Sequence, residues 1–194
     1  MTDPHEMLTI EYDDGEHFVC LTVRSRAASA HHPSGTGMLD IRNEIELAAP
    51  KAIVFSLLTT PHYWPQWHLS TRAVSETTAQ PYRLGESFEE QATIATQSGG
   101  IVWTCVALDA PHTASIESRE KNARISYQLG EADGRTTIRH QLTVDPLMLR
   151  GLAPSDAAAH QLLWRVSQES LVRFRSFVSA KHPRTPSAVV PSAG

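Results

Sequence analysis

The sequence predicts an α+β domain in which a curved, seven-stranded antiparallel sheet wraps around one long C-terminal helix and encloses an apolar cavity. Three observations predict this fold. Seven segments with alternating apolar and polar residues occur between residues 39 and 145. Short turns separate the last six segments, which is typical of antiparallel neighbours. One long amphipathic helical pattern then follows, over residues 155–180.

The composition fits a single folded domain with tails. Of 194 residues, 41% are hydrophobic and 20% are charged, which provides a core and excludes wholesale disorder. The net charge is −4 and no basic stripe occurs, so neither nucleic acid nor an anionic membrane is an expected partner. No apolar run approaches the roughly 20 residues of a membrane span.

The first residues are acidic and contain no continuous apolar stretch, so no signal peptide is expected. Cys20 and Cys105 show no metal-binding spacing, and reduced thiols are the better interpretation. We therefore expect a cytoplasmic protein without a metal or cofactor. The composition leaves the oligomeric state open.

Residues 1–37 are interpreted as an N-terminal extension. Alternation around Asp14-Gly15 predicts a small hairpin, and the Ser/Ala/Gly/Pro/His stretch that follows predicts a flexible linker. A lone hairpin is marginal in water, so it must dock or stay mobile. An equally weighted alternative makes Met38 the functional start. The domain itself spans residues 38–181, and the Pro/Ser-rich residues 182–194 are expected to be a disordered tail.

The domain begins with one strand and two short helical pieces. The segment LDIRNEIEL alternates as a strand with Ile41, Asn43, Ile45 and Leu47 on one face. Pro50 suits the first turn of a helix, which ends before Pro61 because the residue preceding proline avoids the helical region. The aromatic segment HYWPQWH follows as a second helical piece or turn.

Six further strands are expected at residues 71–78, 86–95, 100–109, 113–119, 123–130 and 135–145. The turns between them are assigned to Pro81 with Gly85, Gly99-Gly100, Asp109-Ala-Pro111 and Asp133-Gly134. Ser155 is the expected N-cap of the long helix. Its inward face is predicted to contain Ala159, Leu163, Val166, Ser170, Leu171, Phe174, Phe177 and Val178.

Two ionisable side chains are expected to point inward. Alternation places Glu90 with Phe88, and His140 with Ile138 and Leu142, on inner faces. Burying an unpaired group of this kind costs a desolvation free energy on the order of several kcal/mol. Glu90 and His140 must therefore pair, meet water or touch a ligand. One interpretation makes His140 a general base near neutral pH and Glu90 an acid. The alternative is a satisfied polar pair, or a residue at the mouth of the cavity.

Further residues are candidates for the wall of the cavity. Trp103 is favoured as inward in an ambiguous strand, and Tyr127 also points in. Trp64 or Trp67 could instead simply cap the core, and His160 could be solvated. His62 and His68 lack a third ligand and are not expected to bind metal. The full set of candidate ligand-binding residues is Trp64, Trp67, Phe88, Trp103, Tyr127, His160, Leu163, Ser167 and Phe174.

The segment NEIELAAPKAIVFSLLTTPHYWPQWH, with Ala49-Pro50 at its helix start and Thr-Pro-x-x-x-Pro-x-Trp from Thr60 to Trp67, resembles the SRPBCC superfamily. This superfamily is START- and birch-pollen-allergen-like and is also described as polyketide cyclase/dehydrase and lipid transport. Asp109-Ala-Pro111 matches its strand-turn-strand signal, and the resemblance covers residues 38–181. It implies a helix-grip fold with the order β-α-α-β6-α.

The superfamily includes aromatase/cyclases, carriers of lipids and hormones, and small-molecule sensors, with no fixed catalytic residues. Fold alone does not decide among them. We expect binding of a small hydrophobic, aromatic or polyketide-like molecule or lipid, by a carrier or ligand-binding protein. The alternative is a cyclase/dehydrase-type enzyme that uses His140 and Glu90 as acid and base. A weaker option is a helper domain that meets a protein partner through the N-terminal hairpin.

Overall fold

The computed structural model describes residues 37–75, 79–151 and 153–183, together with the backbone of β1 (Met7–Asp13) and β2 (Phe18–Arg24). The chain divides into two units, residues 1–36 and residues 37–194. In the first unit, β1 and β2 pair antiparallel, with Met7 opposite Arg24. The expected Asp14-Gly15 turn, most of the linker, residues 76–78 and the tail beyond residue 183 lie outside the described residues.

The second unit contains the predicted order of strands and helices, and the predicted fold class is confirmed. Seven strands form one antiparallel, curled sheet with the spatial order first, seventh, sixth, fifth, fourth, third, second. Its elements are β3 (Leu39–Leu47), α1 (Lys51–Leu58), a 3₁₀ turn (Pro61–Tyr63), α2 (Trp64–Trp67), β4 (Thr71–Ser75), β5 (Ser87–Ile94), β6 (Gln97–Asp109), β7 (Thr113–Ser118), β8 (Ala123–Ala132), β9 (Arg135–Val144), a second 3₁₀ turn (Pro146–Leu149) and α3 (Asp156–Lys181).

The strands bury one face and expose the other because successive side chains point to opposite sides of a sheet. In β3, which is an edge strand, the inward residues are buried and the outward residues are charged and exposed. The inward set is Ile41, Asn43, Ile45 and Leu47, and the outward set is Asp40, Arg42, Glu44 and Glu46. The alternation also holds in β5, β8 and β9, which fixes the residues that face α3.

The long helix α3 closes the inner side of the sheet. Ser155 caps it, since its Oγ accepts a hydrogen bond from the Ala158 N–H at 3.2 Å. α3 packs against β3, α1 and α2, and α1 also contacts β8 and β9. None of the helices in the described part of the chain is both long and apolar enough to cross a membrane. The residues of α3 that are buried are Ala159, Leu163, Ser167, Ser170, Leu171, Phe174, Phe177 and Val178.

One predicted turn is in the wrong place. The β5–β6 turn is formed by Ala95-Thr96, with Ala95 at φ 52°, and not by Gly99-Gly100, which lie within β6. Alternation could not locate this turn, because the residues that flank it continue the strand pattern. Gly100 instead pairs with Gln91 of β5 within the β5–β6 ladder.

Aromatic side chains fill the end of the sheet next to α1 and α2. We call Trp64, Trp67, Tyr82, Phe88 and Phe174 the aromatic cluster. Ring centroids are 4.8 Å apart for Trp67 and Phe174, and 5.3 Å apart for Trp64 and Phe88. All five residues are at most 3% exposed, and Nε1 of Trp64 donates to the Leu58 carbonyl at 3.1 Å. These ring contacts pack this end of the domain closely.

Candidate functional site

A cavity of about 220 Å³ lies between the sheet and the N-terminal half of α3. β5, β6, β8, β9 and α3 contribute its wall, together with the second 3₁₀ turn and the segment between α2 and β4. Exposed residues such as Gln97, Ser98 and Met148 mark its mouth. Buried apolar residues such as Ile125 and Leu163 mark its interior. The cavity therefore opens at the end of the sheet opposite to the aromatic cluster.

Glu90 lies at the inner end of this cavity with only 2% of its surface exposed. β5 carries it inward because Phe88 and Ala92, two residues to either side, are also buried. Its carboxylate accepts a hydrogen bond from the hydroxyl of Thr71 at Oε1. At Oε2 it accepts one from Nε1 of Trp103 at 2.8 Å. Two donors thus compensate part of the cost of burying the carboxylate.

His68 extends this arrangement, because its Nδ1 lies 2.8 Å from Oγ1 of Thr71 and 3.8 Å from Oε1 of Glu90. The Thr71 hydroxyl has one hydrogen, which it donates to the ionised carboxylate. The short contact with His68 therefore requires a proton on Nδ1. Hydrogen bonds run in one direction, from His68 to Thr71 to Glu90, and Nε2 of a neutral His68 is left as an acceptor.

The charge state of His68 follows from two opposing effects. Burial lowers the pKa of His68, and the carboxylate of Glu90 opposes that change with a smaller effect. Desolvation dominates, so the neutral imidazole is the favoured form at neutral pH. The inner end of the cavity therefore disfavours a cation even beside a carboxylate.

His140 faces the cavity from β9 and is 6% exposed. It lies opposite Asn43 of β3 and Tyr127 of β8, and its ring centroid is 5.4 Å from that of Tyr127. Burial, assisted by nearby His68, lowers the pKa of His140 to about 3. Its Nδ1 is buried and has no hydrogen-bond partner among the described residues. A general base near neutral pH needs a pKa closer to neutrality, so the lowered pKa of His140 does not favour that role.

Tyr127 lies beyond His140, at the edge of the packed end. Its ring is 3% exposed, and burial, with a smaller effect of the Glu90 charge, raises the pKa of Tyr127. The phenol therefore stays protonated across the physiological range. Tyr127 supports the ring of His140 and is not among the lining residues of the described cavity.

The structure places the predicted site residues in different parts of the domain. Those that line the cavity are Glu90, Trp103, His140, Leu163 and Ser167. Trp64, Trp67, Phe88 and Phe174 belong to the aromatic cluster, so the alternative interpretation of Trp64 and Trp67 as core residues fits their positions. His160 lies outside the lining, with Nε2 3.3 Å from the Asp40 carbonyl on β3. These large aromatic side chains contact one another and form part of the core.

His68 is the functional candidate that the sequence interpretation missed. It was considered only as a metal ligand with His62, six residues away. The described part of the chain contains no group of three or more His, Cys, Asp or Glu side chains arranged to hold a metal ion. The feature that could have indicated His68 is its position directly after α2, because the side chain of a residue that follows a short helix can point back toward the sheet. Its contact with Thr71 is local, whereas its approach to Glu90 depends on the tertiary structure.

Comparisons with known proteins agree with this architecture. The family model described as polyketide cyclase / dehydrase and lipid transport matches residues 38–177. A START superfamily protein from Mycobacterium smegmatis aligns at a TM-score of 0.60 and 13% identity, over 75% of this chain and 99% of that one. Ara h 8.0201 aligns at 0.53 and 17%, over 74% and 99%. A protein from Chromobacterium violaceum aligns at 0.55 and 16%, over 72% and 96%. No curated protein matches the chain.

Proposed function

Since the chain belongs to the polyketide cyclase / dehydrase and lipid transport family, we propose that it binds a small hydrophobic molecule in its internal cavity, as a carrier or ligand-binding protein. The observation that carries this proposal is the cavity of about 220 Å³ beside α3, with a largely apolar wall and a few buried polar groups at its inner end. Ligand pockets in proteins share this combination.

The volume of the cavity limits the ligand. A cavity of about 150 Å³ holds benzene in a protein interior. A space of about 220 Å³ therefore suits a molecule with one ring and a few substituent atoms. A long acyl chain or a multi-ring polyketide would have to extend through the mouth or widen the cavity. We propose a single-ring compound, or a fragment of that size, as the ligand.

An enzyme is the second candidate, because Glu90, His68 and Thr71 form a directed hydrogen-bond chain at the cavity wall. Such a chain could transfer a proton in a cyclisation or dehydration. The lowered pKa of His140 weakens this option, because a base with a pKa near 3 accepts few protons at neutral pH. Binding requires none of these protons to move, so it is the better-supported function.

Native mass spectrometry of the purified protein tests the binding proposal directly. We expect a co-purifying mass, or else a rise in melting temperature when toluene or p-cresol is added, because a ligand that binds only the folded state stabilises it. Quenching or a spectral shift of Trp103 in the cavity wall gives a second readout. A protein that binds neither compound, and that carries no ligand after purification, would contradict the proposal.

Turnover separates the two candidates. If the protein is an enzyme, Glu90→Gln and His140→Ala would abolish the reaction of a bound compound while binding persists. If the bound compound is recovered unchanged from the wild-type protein, the carrier is supported. Chemical conversion by the wild-type protein that is lost in Glu90→Gln would establish the enzyme instead.

A further inference from the structure

We propose that the inner end of the cavity recognises a hydroxyl group on a single-ring compound, and that this hydroxyl donates a hydrogen bond to Glu90. The inference rests on the proposed ligand-binding function and specifies the chemistry of the ligand. It assigns Glu90 a recognition role that does not require any proton to leave the ligand.

The first argument is the excess of acceptors at this end of the cavity. An ionised carboxylate offers about four acceptor positions, and Glu90 receives two hydrogen bonds, from Thr71 and Trp103. Lone pairs remain on a side chain that lines the cavity and is 2% exposed. Nδ1 of His140, which also lines the cavity, is buried without a partner among the described residues, and its role as donor or acceptor depends on the tautomer. A donor from the ligand would use the remaining lone pairs of Glu90.

The direction of the hydrogen bonds supports the same conclusion. The hydrogens of Thr71 and of His68 Nδ1 are already used within the chain that ends at Glu90. Neither group can offer that hydrogen to a ligand without breaking this chain. A ligand that only accepts hydrogen bonds, such as a ketone or ether, would leave the remaining lone pairs of Glu90 unused. A ligand hydroxyl can donate to them.

The choice of a neutral hydroxyl over an ammonium group comes from His68. This imidazole lies 3.8 Å from Oε1 of Glu90, and burial still lowers its pKa more than the carboxylate raises it. A ligand cation at the same place would lose its hydration in the same way. A neutral donor avoids that cost. Lys121, among the lining residues, places a positive charge on the cavity wall and further disfavours a cationic ligand.

Four probes of similar size test the proposal: p-cresol, 4-methylanisole, toluene and benzylamine. Their affinities are measured at pH 7 by calorimetry and by quenching of tryptophan fluorescence. p-Cresol stays neutral at this pH because phenols have a pKa near 10. We expect p-cresol to bind about ten- to a hundredfold more tightly than 4-methylanisole, the range for a hydrogen bond to a charged group. We expect benzylamine to bind more weakly than p-cresol.

Two variants assign the preference to one side chain. In Glu90→Gln the charge is lost and the shape is kept, so the preference for p-cresol over 4-methylanisole should fall to about threefold, typical of a neutral hydrogen bond. Glu89→Gln is the matched control, because Glu89 precedes Glu90 in β5 but points to the opposite face, where its Oε1 accepts from Gln91. This control should keep the full preference.

The outcomes distinguish this inference from the proposed function. Equal binding of p-cresol, 4-methylanisole and toluene would overturn the hydroxyl proposal and leave the hydrophobic cavity supported. Tighter binding of benzylamine than of p-cresol would also overturn it, in favour of a cationic ligand. Absence of binding by all four probes would count against the proposed function itself. The comparison of probes on the wild-type protein decides the question even if Glu90→Gln fails to fold.

Discussion

The two ends of the main sheet are built from the same strands, yet they differ in what fills them. β5 contributes Phe88 to the aromatic cluster and, two residues later, Glu90 to the cavity wall. α3 contributes Phe174 to the cluster and Leu163, three turns earlier, to the cavity. Large rings close one end, and smaller side chains leave the other open. The two ends thus differ in the size of their inward side chains.

The polar cluster, which we define as His68, Glu90 and His140, lies where the two ends meet. The cluster contacts Trp103, which also lines the cavity, and Tyr127, which does not. Rigid rings that hold polar atoms in place lower the entropy cost of binding. Under the proposed function, the packed end would therefore contribute to recognition of the ligand.

Truncation of Phe174 gives the largest expected contrast. Phe174 is fully buried against Trp67, so Phe174→Ala should lower the free energy of unfolding by about 3–5 kcal/mol. Leu163→Ala at the cavity wall should cost closer to about 2 kcal/mol, because the side chain already borders empty space. Urea denaturation measures both. Equal losses would show that the two ends are packed alike.

Trp103→Phe tests the link between the two ends. It removes the donor that Nε1 supplies to Glu90 and leaves a buried carboxylate with one donor fewer. A hydrogen bond to a charged group is worth about 1.5–3 kcal/mol, so stability should fall by that amount. Urea unfolding at pH 7 provides the measurement, with Val102→Ala on the exposed face of β6 as the control. A loss no larger than that of the control would remove Trp103 from this role.

Acidification should lower the free energy of unfolding through His140 of the polar cluster. The pKa of His140 is lowered to about 3 in the folded state, and the unfolded value is about 6.5. Below pH 6.5 the unfolded chain binds a proton that the folded protein does not, so stability falls as pH falls. The loss attributable to His140 between pH 7 and pH 5 is about 2 kcal/mol.

His140→Leu provides the test of that assignment. The slope of its free energy of unfolding against pH should be smaller than that of the wild-type protein. The difference in slope over this range should correspond to about one bound proton. His68, whose pKa is also lowered, adds a contribution that remains in this variant. Identical slopes for the two proteins between pH 5 and pH 7 would show that His140 is not protected from protonation.

Filling the cavity should have the smallest effect on stability and a large effect on binding. Ser167 lines the cavity from α3 and is 7% exposed. Ser167→Leu places apolar atoms in existing space, so the free energy of unfolding should change by less than about 1 kcal/mol. Binding of toluene, followed by calorimetry, should be lost. A variant that still binds toluene at wild-type affinity would place the ligand elsewhere.

The inward positions could be predicted from periodicity, whereas the contrast between the two ends could not. Alternation identified the inward positions of Glu90, Trp103 and His140 because a two-residue period depends only on strand direction. It could not identify which inward residues meet empty space, since that depends on how α3 and α2 lie on the sheet. Trp64, Trp67 and Phe174 were expected at the ligand for this reason, and they pack against each other instead.

Local chemistry explains the other differences. The β5–β6 turn was assigned to Gly99-Gly100 because glycine favours turns, whereas the chain turns at Ala95-Thr96. The sequence pattern does not single out His68 because Glu90, the carboxylate beside it, lies on β5, distant in sequence. The pKa of His140 is lowered mainly by burial. Alternation predicts that His140 points inward, and therefore the direction of this shift, but not its size. Whether these side chains bind a ligand stays a prediction.

The charged outer row of β3 has a consequence for colloidal behaviour. An edge strand presents backbone groups that a strand of a second molecule could extend, which is the first step of many fibrils. On β3, the exposed side chains Asp40, Arg42, Glu44 and Glu46 would have to lose water and rearrange before such an addition. A chain with these four positions made apolar would be expected to precipitate on storage, while its interior stayed the same.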